Sequence, residues 1–294
     1  MKLVNIFATA LAASTIAGSA FAADLPARKM APAYIAPAPI FTWTGFYVGV
    51  NLGYAFRGDN KAQGYGMVLP PATAQHMGWW GGSSSDTTGI LGGLQVGYNF
   101  NFRGFLVGLE TDFQGSDIKG SKNYAGAMGL GNNGAPQFIS VDARTKLEWF
   151  GTLRGRLGFA LPSAPNFLVY ATGGLAYGNV KASATPTFVN ATGGSILGVR
   201  SSFSDTRIGW TVGAGAEYAP MSLPNWSVKF EYLYTDLGSV RVPLDGAGAT
   251  AGAYFANTPA YAGSHSSQTK FHTLRVGLNY RFGGMSAAPV VAKY

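Results

Sequence analysis

Twelve charged residues occupy alternate positions within segments that are otherwise apolar at every second residue. They are Glu110, Asp112, Lys146, Glu148, Arg154, Arg156, Arg207, Glu217, Lys229, Glu231, Arg275 and Arg281. Seven are basic and five are acidic, so the set could form a nearly neutral network of ion pairs. An unpaired charge that is removed from water costs several kcal/mol. We therefore expect these side chains to pair with one another in a network. Two interpretations stay open, a polar plug that holds a barrel together and a narrow charge-lined conduit.

The three histidines offer a second, weaker chemistry. A His and a Met beside two Trp residues could contact heme, whereas the simpler interpretation is a sticky surface loop. The residues of this tentative ligand loop are His76, Met77, Trp79 and Trp80. His265 and His272 show no metal-ligand spacing and no triad spacing. The chain has no Cys, which excludes a thiolate metal site and a cysteine nucleophile. Together with the histidine spacing, this leads us to expect no cofactor, no metal site and no enzyme activity.

Eight segments must position these charges, and each follows the period of two that is typical of a β-strand. They cover residues 46–56, 94–100, 105–114, 146–159, 169–177, 207–218, 226–235 and 273–282. Short connections alternate with long ones of roughly 20 to 30 residues, as in bacterial outer-membrane barrels. Each apolar stretch has about 9 to 11 residues, enough to cross a bilayer as a tilted strand. The pattern predicts an all-β chain that forms an eight-stranded antiparallel transmembrane β-barrel.

Aromatic residues mark both ends of these segments. At the short connections they are Trp43, Phe105, Phe159, Phe167, Tyr218, Trp226, Tyr280 and Phe282. At the long connections they are Phe56, Phe113, Trp149, Tyr177, Trp210, Tyr234 and Phe271. All but Trp43 are predicted on the apolar face. Two aromatic belts around an aliphatic band are typical of a membrane barrel, whereas a soluble lipocalin-like barrel would be apolar inside.

The chain begins with a pattern that predicts export. Met1–Ala22 has a basic start, an apolar stretch and an A-x-A site, which predicts a signal peptide cleaved between Ala22 and Ala23. An even number of strands would leave both termini in the periplasm of a Gram-negative cell. The predicted organisation is a signal peptide (1–22), a Pro/Ala-rich periplasmic spacer (23–42), an outer-membrane barrel (43–282) and a periplasmic tail (283–294).

The formal net charge of +8 includes Lys2 of the leader, and the remaining charge is scattered. The long connections are nearly neutral, so the sequence carries no footprint of nucleic-acid binding. Arg144, Lys181, Arg200 and Lys270 fall near the rim at the long connections. They could meet lipopolysaccharide phosphates or be ordinary solvated charges. The expected surroundings are outer-membrane lipid and lipopolysaccharide, and the oligomeric state stays open.

The last segment, RVGLNYRF (275–282), resembles the sorting signal that the barrel assembly machinery reads. The matching residues are Gly277, Tyr280 and Phe282. In the family this signal normally ends the chain, whereas here residues 283–294 follow it.

Several stretches together resemble the alphaproteobacterial outer-membrane β-barrel surface antigens, relatives of the OmpA-like and opacity-type small barrels. They are WTGFYVGVNLGY (43–54), WFGTLRGRLG (149–158), YATGGLAYG (170–178), DTRIGWTVGAGAEYA (205–219), WSVKFEYLYTDLG (226–238) and HTLRVGLNYRF (272–282). The resemblance implies an abundant surface protein, often described as porin-like or immunogenic, and some members are reported to bind heme. It brings no shared catalytic residues.

Three functions follow as hypotheses. The first is a non-enzymatic structural and surface protein with four long extracellular loops. The second is a small-solute porin with a narrow charged lumen, and the third is a loop-borne surface receptor or adhesin, with heme as one ligand.

Overall fold

The computed structural model describes residues 40–56, 62–69, 76–82, 87–130, 136–190, 195–197, 200–244, 260–282 and 285–286. Their strands are β1 (Ile40–Phe41), β2 (Gly45–Phe56), β3 (Ala62–Leu69), β4 (His76–Gly82), β5 (Gly89–Phe102), β6 (Phe105–Leu130), β7 (Pro136–Leu161), β8 (Ala164–Asn190), β9 (Ser195–Leu197), β10 (Ser201–Tyr218), β11 (Trp226–Pro243), β12 (Ala260–Arg281) and β13 (Met285–Ser286). Among these residues no helix is long and apolar enough to cross a membrane. The predicted signal peptide, with Ala22 and Ala23, lies outside the described residues, as do most of the spacer and the tail.

Eight antiparallel strands close into a ring in the order β2, β5, β6, β7, β8, β10, β11 and β12. The ring closes where β12 pairs with β2, in a register that sets Arg275 opposite Gly53. On its other side Arg275 lies opposite Glu231 of β11. The predicted all-β, eight-stranded antiparallel barrel is therefore confirmed.

The two ends of the ring differ in how their strands are joined. At the turn end, β5 and β6 join through Arg103 and Gly104, whose positive φ angles of 52° and 89° suit a two-residue hairpin turn. At the opposite end, the hairpin end, the strands continue far beyond the length needed to cross a bilayer. The β6–β7 pairing runs to Leu130 opposite Pro136. The described parts of the predicted long connections are therefore largely paired strand, because their alternating residues continue the ladder.

A separate hairpin fills part of the first long connection. β3 pairs with β4 and with the first part of β12, where Ala260 lies opposite Leu69. β9 pairs antiparallel with the last residues of β8, where Thr187 lies opposite Leu197. At the ends of the described chain, β1 and β13 form a two-stranded sheet.

The outer face of the ring is apolar along the predicted strands. Leu52, Phe105 and Ile208 are 68%, 70% and 74% exposed, which no water-soluble monomer would tolerate in every strand. Aromatic pairs lie at both ends of this band, including Phe113 with Trp149 and Trp226 with Tyr280. We call these rows the aromatic belts.

Two predicted belt residues lie inside the barrel instead. Phe271 is fully buried and packs edge-on against Phe150, because it shares the inward side of β12 with Thr273 and Arg275. Trp43 is 1% exposed and lies inside the turn end. The prediction that Phe271 lies on the apolar outer face is therefore wrong.

Three zones follow one another inside the barrel. At the hairpin end lies an apolar plug, whose larger members are Leu91, Ile118, Tyr124, Ile139, Val141, Leu147, Phe150, Val180, Leu237, Val240, Val242 and Phe271. At the turn end lies a smaller apolar cap of Trp43, Leu106, Leu168, Tyr170 and Ala219, against which Phe41 and Ala160 pack. Buried charges occupy the zone between them.

The apolar band gives a first prediction. Val276 points outward from the part of β12 that lies between the two belts, with Leu52 and Phe230 as its neighbours in the ladder. Val276→Arg should lower the free energy of unfolding by about 2–4 kcal/mol, because a cation on the lipid face is costly near the bilayer midplane. Urea titration in lipid vesicles measures this. The control is Ile208→Arg at the belt, with an expected loss of about 0–1 kcal/mol, and equal losses in both variants would contradict the predicted depth.

Candidate functional site

Eight buried charged side chains meet in the middle of the barrel, and we call them the lumen charge cluster. They are Glu110 and Asp112 of β6, Arg154 and Arg156 of β7, Glu217 of β10, Lys229 and Glu231 of β11, and Arg275 of β12. Each is at most 3% exposed. Four carboxylates face four cations, so the formal charge of the cluster is zero.

Glu110 lies at the centre of the cluster. Lys229 Nζ donates to both carboxylate oxygens of Glu110 at 2.8 Å, and Arg154 Nη2 donates to Oε1 at 2.5 Å. Arg156 and Arg275 approach the same carboxylate at 3.4 Å. One carboxylate thus faces four cations from three other strands.

Asp112 and Glu231 each form ion pairs with both Arg154 and Arg275. Arg154 pairs with Asp112 and with Glu231, both at 3.0 Å. Arg275 Nη1 pairs with Asp112 at 2.9 Å, and its Nε donates to Glu231. The cluster therefore ties β6 and β7 to β11 and β12 across the lumen.

Two tyrosines complete the coordination on the side nearer the turn end. Tyr47 OH donates to Glu110 at 2.6 Å and accepts from Arg156 at 2.7 Å. Tyr170 OH donates to Glu231 at 3.0 Å, and the Arg156 guanidinium lies 3.9 Å from the centre of its ring. Arg156 also binds Glu217 at 2.8 Å. The two Nη atoms of Arg156 therefore bind a hydroxyl and a carboxylate beside an aromatic ring, whereas its Nε has no hydrogen-bond partner among the described residues.

Two glycines make room for these rings. A Cβ at Gly215 would lie 2.5 Å from the Tyr170 hydroxyl, and a Cβ at Gly97 would collide with the Tyr47 hydroxyl. Each tyrosine therefore lies across a neighbouring strand that must carry glycine.

Polar residues around the cluster satisfy its outer oxygens. Ser227 and Asn279 donate to Glu217 at 2.5 and 2.9 Å, and Thr152 donates to Asp112 at 2.8 Å. Gln95 donates to Asn279 at 2.5 Å. Sequence reasoning missed these residues and both tyrosines as members of the network. Only their positions could have indicated this role, because each shares the inward side of its strand with a charged residue or a glycine.

The prediction that Lys146 and Glu148 point into the lumen is wrong, because the structure places both side chains on the outer surface. A β-bulge between Leu147 and Trp149 reverses the alternation, so Leu147 becomes the buried residue. Glu148 pairs with Lys146 at 3.5 Å and with Lys181 at 2.9 Å on the outside. A strict alternation of inward and outward residues therefore assigns Lys146 and Glu148 to the wrong face.

Arg207 and Arg281 lie on the inward side but away from the cluster. Arg207 pairs with Asp205 at 3.3 Å near the hairpin end. Arg281 lies at the turn end, with its guanidinium 4.8 Å from the Phe41 ring centre and 4.5 Å from that of Trp43. Its Nη2 donates to the Pro224 carbonyl. Neither residue joins the central ion pairs that the sequence predicts for it.

The remaining predicted residues are spread over the barrel. Gly277 faces Lys229 inside, whereas Tyr280 and Phe282 contact each other outside. Recognition of this strand by the assembly machinery stays a prediction. The side chains of the tentative ligand loop lie outside the described residues, although its backbone belongs to β4. Among the described residues, no three His, Cys, Asp or Glu side chains are grouped to hold a metal.

His265 gives a pH prediction at the hairpin end. Its ring lies 5.5 Å from that of Tyr124, and burial lowers the pKa of His265 from 6.5 to about 4. The fold thus favours the neutral ring. Its contribution is complete above pH 6.5 and is lost as the pH falls toward 4.

We expect that loss to reach up to about 3 kcal/mol, measured as the change in urea stability between neutral pH and pH 4. His265→Leu should remove this part of the pH dependence. An unchanged slope in the variant would contradict the assignment.

These features define a class of protein. A closed barrel with an apolar outside, aromatic belts and a charged interior is an integral outer-membrane β-barrel. The chain belongs to the outer membrane protein beta-barrel domain family, whose sequence model matches residues 8–282. The resemblance noted from the sequence is therefore confirmed, and the protein is located in the outer membrane.

Named relatives agree with this assignment. The 31 kDa outer-membrane immunogenic protein of Brucella melitensis is 40% identical over 275 residues, covering 92% of this chain and 96% of the relative. The 22 kDa outer membrane protein of Rhizobium leguminosarum bv. viciae is 29% identical, covering 70% of each chain. Among solved structures, the outer membrane protein OprG of Pseudomonas aeruginosa matches at 14% identity with a TM-score of 0.39, covering 81% of this chain and 96% of OprG.

Proposed function

We propose that this protein is a non-enzymatic structural and surface barrel of the outer membrane, with a lumen closed to solutes. The observation that carries the proposal is the order of the three interior zones. A charge-neutral cluster lies between an apolar plug and an apolar cap. An ion would have to leave water, pass the plug and break strong ion pairs, and each of those steps is costly.

The proposal extends to orientation. The hairpin end, with its long strand extensions, projects outside the cell, and both termini lie in the periplasm. Support comes from the strand count, which puts both ends of the ring's chain at the turn end, and from the usual pattern of short periplasmic turns. The paired extensions of β6–β7, β8–β10 and β11–β12 and the β3–β4 hairpin then form the surface that the cell presents.

Single-channel recording in planar bilayers tests the closed lumen. A silent bilayer is expected, with folding verified by a heat-modifiable gel shift. Discrete and reproducible current steps would instead favour the narrow porin. The buried arginines and carboxylates weigh against that alternative, because a water path needs space that they fill.

Cysteine labelling tests the orientation, since the chain has no cysteine of its own. Ala125→Cys places a thiol on the exposed side of the β6 extension, and Ser222→Cys places one in the exposed β10–β11 connection. A membrane-impermeant maleimide on intact cells should label the first and spare the second. The reverse result would invert the proposed orientation.

A further inference from the structure

Three lysines form a row on the outer wall of the barrel, beyond the belt at the hairpin end. Lys119 of β6 lies directly opposite Lys146 of β7, and Lys146 lies directly opposite Lys181 of β8. All three side chains are 43–59% exposed. Directly opposed residues of neighbouring strands have Cβ atoms only about 4.5–5.5 Å apart, and like charges there are destabilising. The row is therefore unfavourable to the fold unless something negative lies against it.

The carboxylates of the protein neutralise this region only in part. Asp117 pairs with Lys119, Glu148 pairs with Lys146 and Lys181, and Asp142 pairs with Arg144. Arg200 lines the same surface and donates to Ser183. Five cations against three carboxylates leave two net positive charges.

This surface is concave. The five cations and Asp142 line a groove of about 1340 Å³ that crosses β6, β7, β8 and β10, and hydroxyls from Ser121, Ser202 and Ser204 line it too. Cations combined with hydroxyl donors in a groove fit the tetrahedral oxygens of a phosphate. Arg144 and Arg200 supply the planar donors that bind phosphate in a bidentate manner.

The distance of the groove from the aromatic belt indicates which molecule carries that phosphate. On β7 the lysine row lies three residues beyond Trp149 of the belt, and on β8 it lies four residues beyond Tyr177. At about 3.3 Å per residue, this places the backbone of the lysine row roughly 10–13 Å along the strand from the belt. On the same strands, Leu153 and Leu175 point outward below the belt, 43% and 56% exposed. A ligand with an anionic head and apolar chains would contact both.

We propose that this groove is a binding site for the phosphorylated headgroup of lipopolysaccharide. The phosphates lie against the lysine row and the two arginines, and the acyl chains lie along the apolar outer face of β7 and β8. The proposal rests on the outward orientation of the hairpin end. It gives the rim charges Arg144, Lys181 and Arg200 a common ligand and leaves out the fourth rim charge, Lys270, which pairs with Asp236 on the opposite wall.

Binding of purified lipid A to the folded full-length protein in detergent tests the site. The probes are lipid A with both phosphates, the same lipid with its phosphates removed, and inorganic phosphate. The groove variant is Lys146→Gln/Lys181→Gln. Its matched control, Arg241→Gln/Lys270→Gln, removes two cations from β11 and β12. The gel shift verifies folding of each variant.

The wild type and the control are expected to bind phosphorylated lipid A with equal affinity, and the groove variant at least about tenfold more weakly. Dephosphorylated lipid A should bind all three proteins equally weakly. Equal affinity for both lipids, or equal loss in both double variants, would overturn the proposal. Binding of inorganic phosphate as tight as that of the lipid would also overturn it, because the groove would then take a free anion. Because binding is measured in detergent, its result does not depend on the labelling pattern that tests the orientation, so the two proposals fail separately.

Discussion

Glu110→Gln is expected to lower the free energy of unfolding by about 3–5 kcal/mol. The amide nearly matches the carboxylate in shape, so the change removes charge rather than volume. Lys229 loses the carboxylate that receives its two 2.8 Å contacts, and Arg154 loses its shortest ion pair. Four buried cations would then share three carboxylates in a zone closed by apolar residues. Urea unfolding in lipid vesicles measures the loss.

Two variants make that result specific. Asp117→Asn removes an ion pair with the same 2.8 Å separation, but on the exposed surface, and should change stability by no resolvable amount. Glu110→Gln combined with Lys229→Met restores neutrality and should recover part of the loss, which a double-mutant cycle would reveal. Wild-type stability in Glu110→Gln alone would show that the cluster is already hydrated, and the closed lumen would then have to be abandoned.

The alternation of apolar and polar residues was enough to predict the barrel and most of the charge cluster. Glu110, Asp112, Arg154 and Arg156 lie in uninterrupted stretches of β6 and β7, where each second residue must point inward. The same rule fails at Lys146, because a bulge inserts one extra residue and exchanges the two faces. Nothing local in Leu147-Glu148-Trp149 marks a bulge, so only the pairing of β7 with β8 reveals it.

The extensions at the hairpin end were hidden for another reason. Their inward residues are small or β-branched, such as Val141, Val180 and Val240, and their outward residues are polar. This is the pattern of an ordinary sheet in water, and it reverses the polarity of the membrane segments. The criterion of an apolar outward face therefore identifies strands only as far as the belt, and the residues beyond it are predicted as loops. The reversal has a physical origin, because these strands are surrounded by water on the outside and must bury apolar side chains within.

The turn end leads to the second prediction, because Trp43 belongs to no strand and yet closes the barrel. Trp43 Nε1 donates to the Pro165 carbonyl at 2.8 Å, and the Arg281 guanidinium lies 4.5 Å from its ring. Trp43→Ala should lower the free energy of unfolding by about 3–5 kcal/mol, the range for truncating a buried aromatic residue. It also removes the ring against which Arg281 lies.

The matched control is Trp226→Ala, since Trp226 is 40% exposed in the belt and already faces lipid. Truncation there leaves no internal cavity, so the loss should be clearly smaller. Hydrogen exchange should separate the variants further. Trp43→Ala admits water to the side of the charge cluster that faces the turn end and should speed hydrogen exchange near Glu217 and Arg156. Trp226→Ala should leave that exchange unchanged. Because the apolar plug stays intact, the bilayer should remain silent in both variants. Current through Trp43→Ala would mean that the cap alone closes the lumen, and the role given to the plug would be wrong.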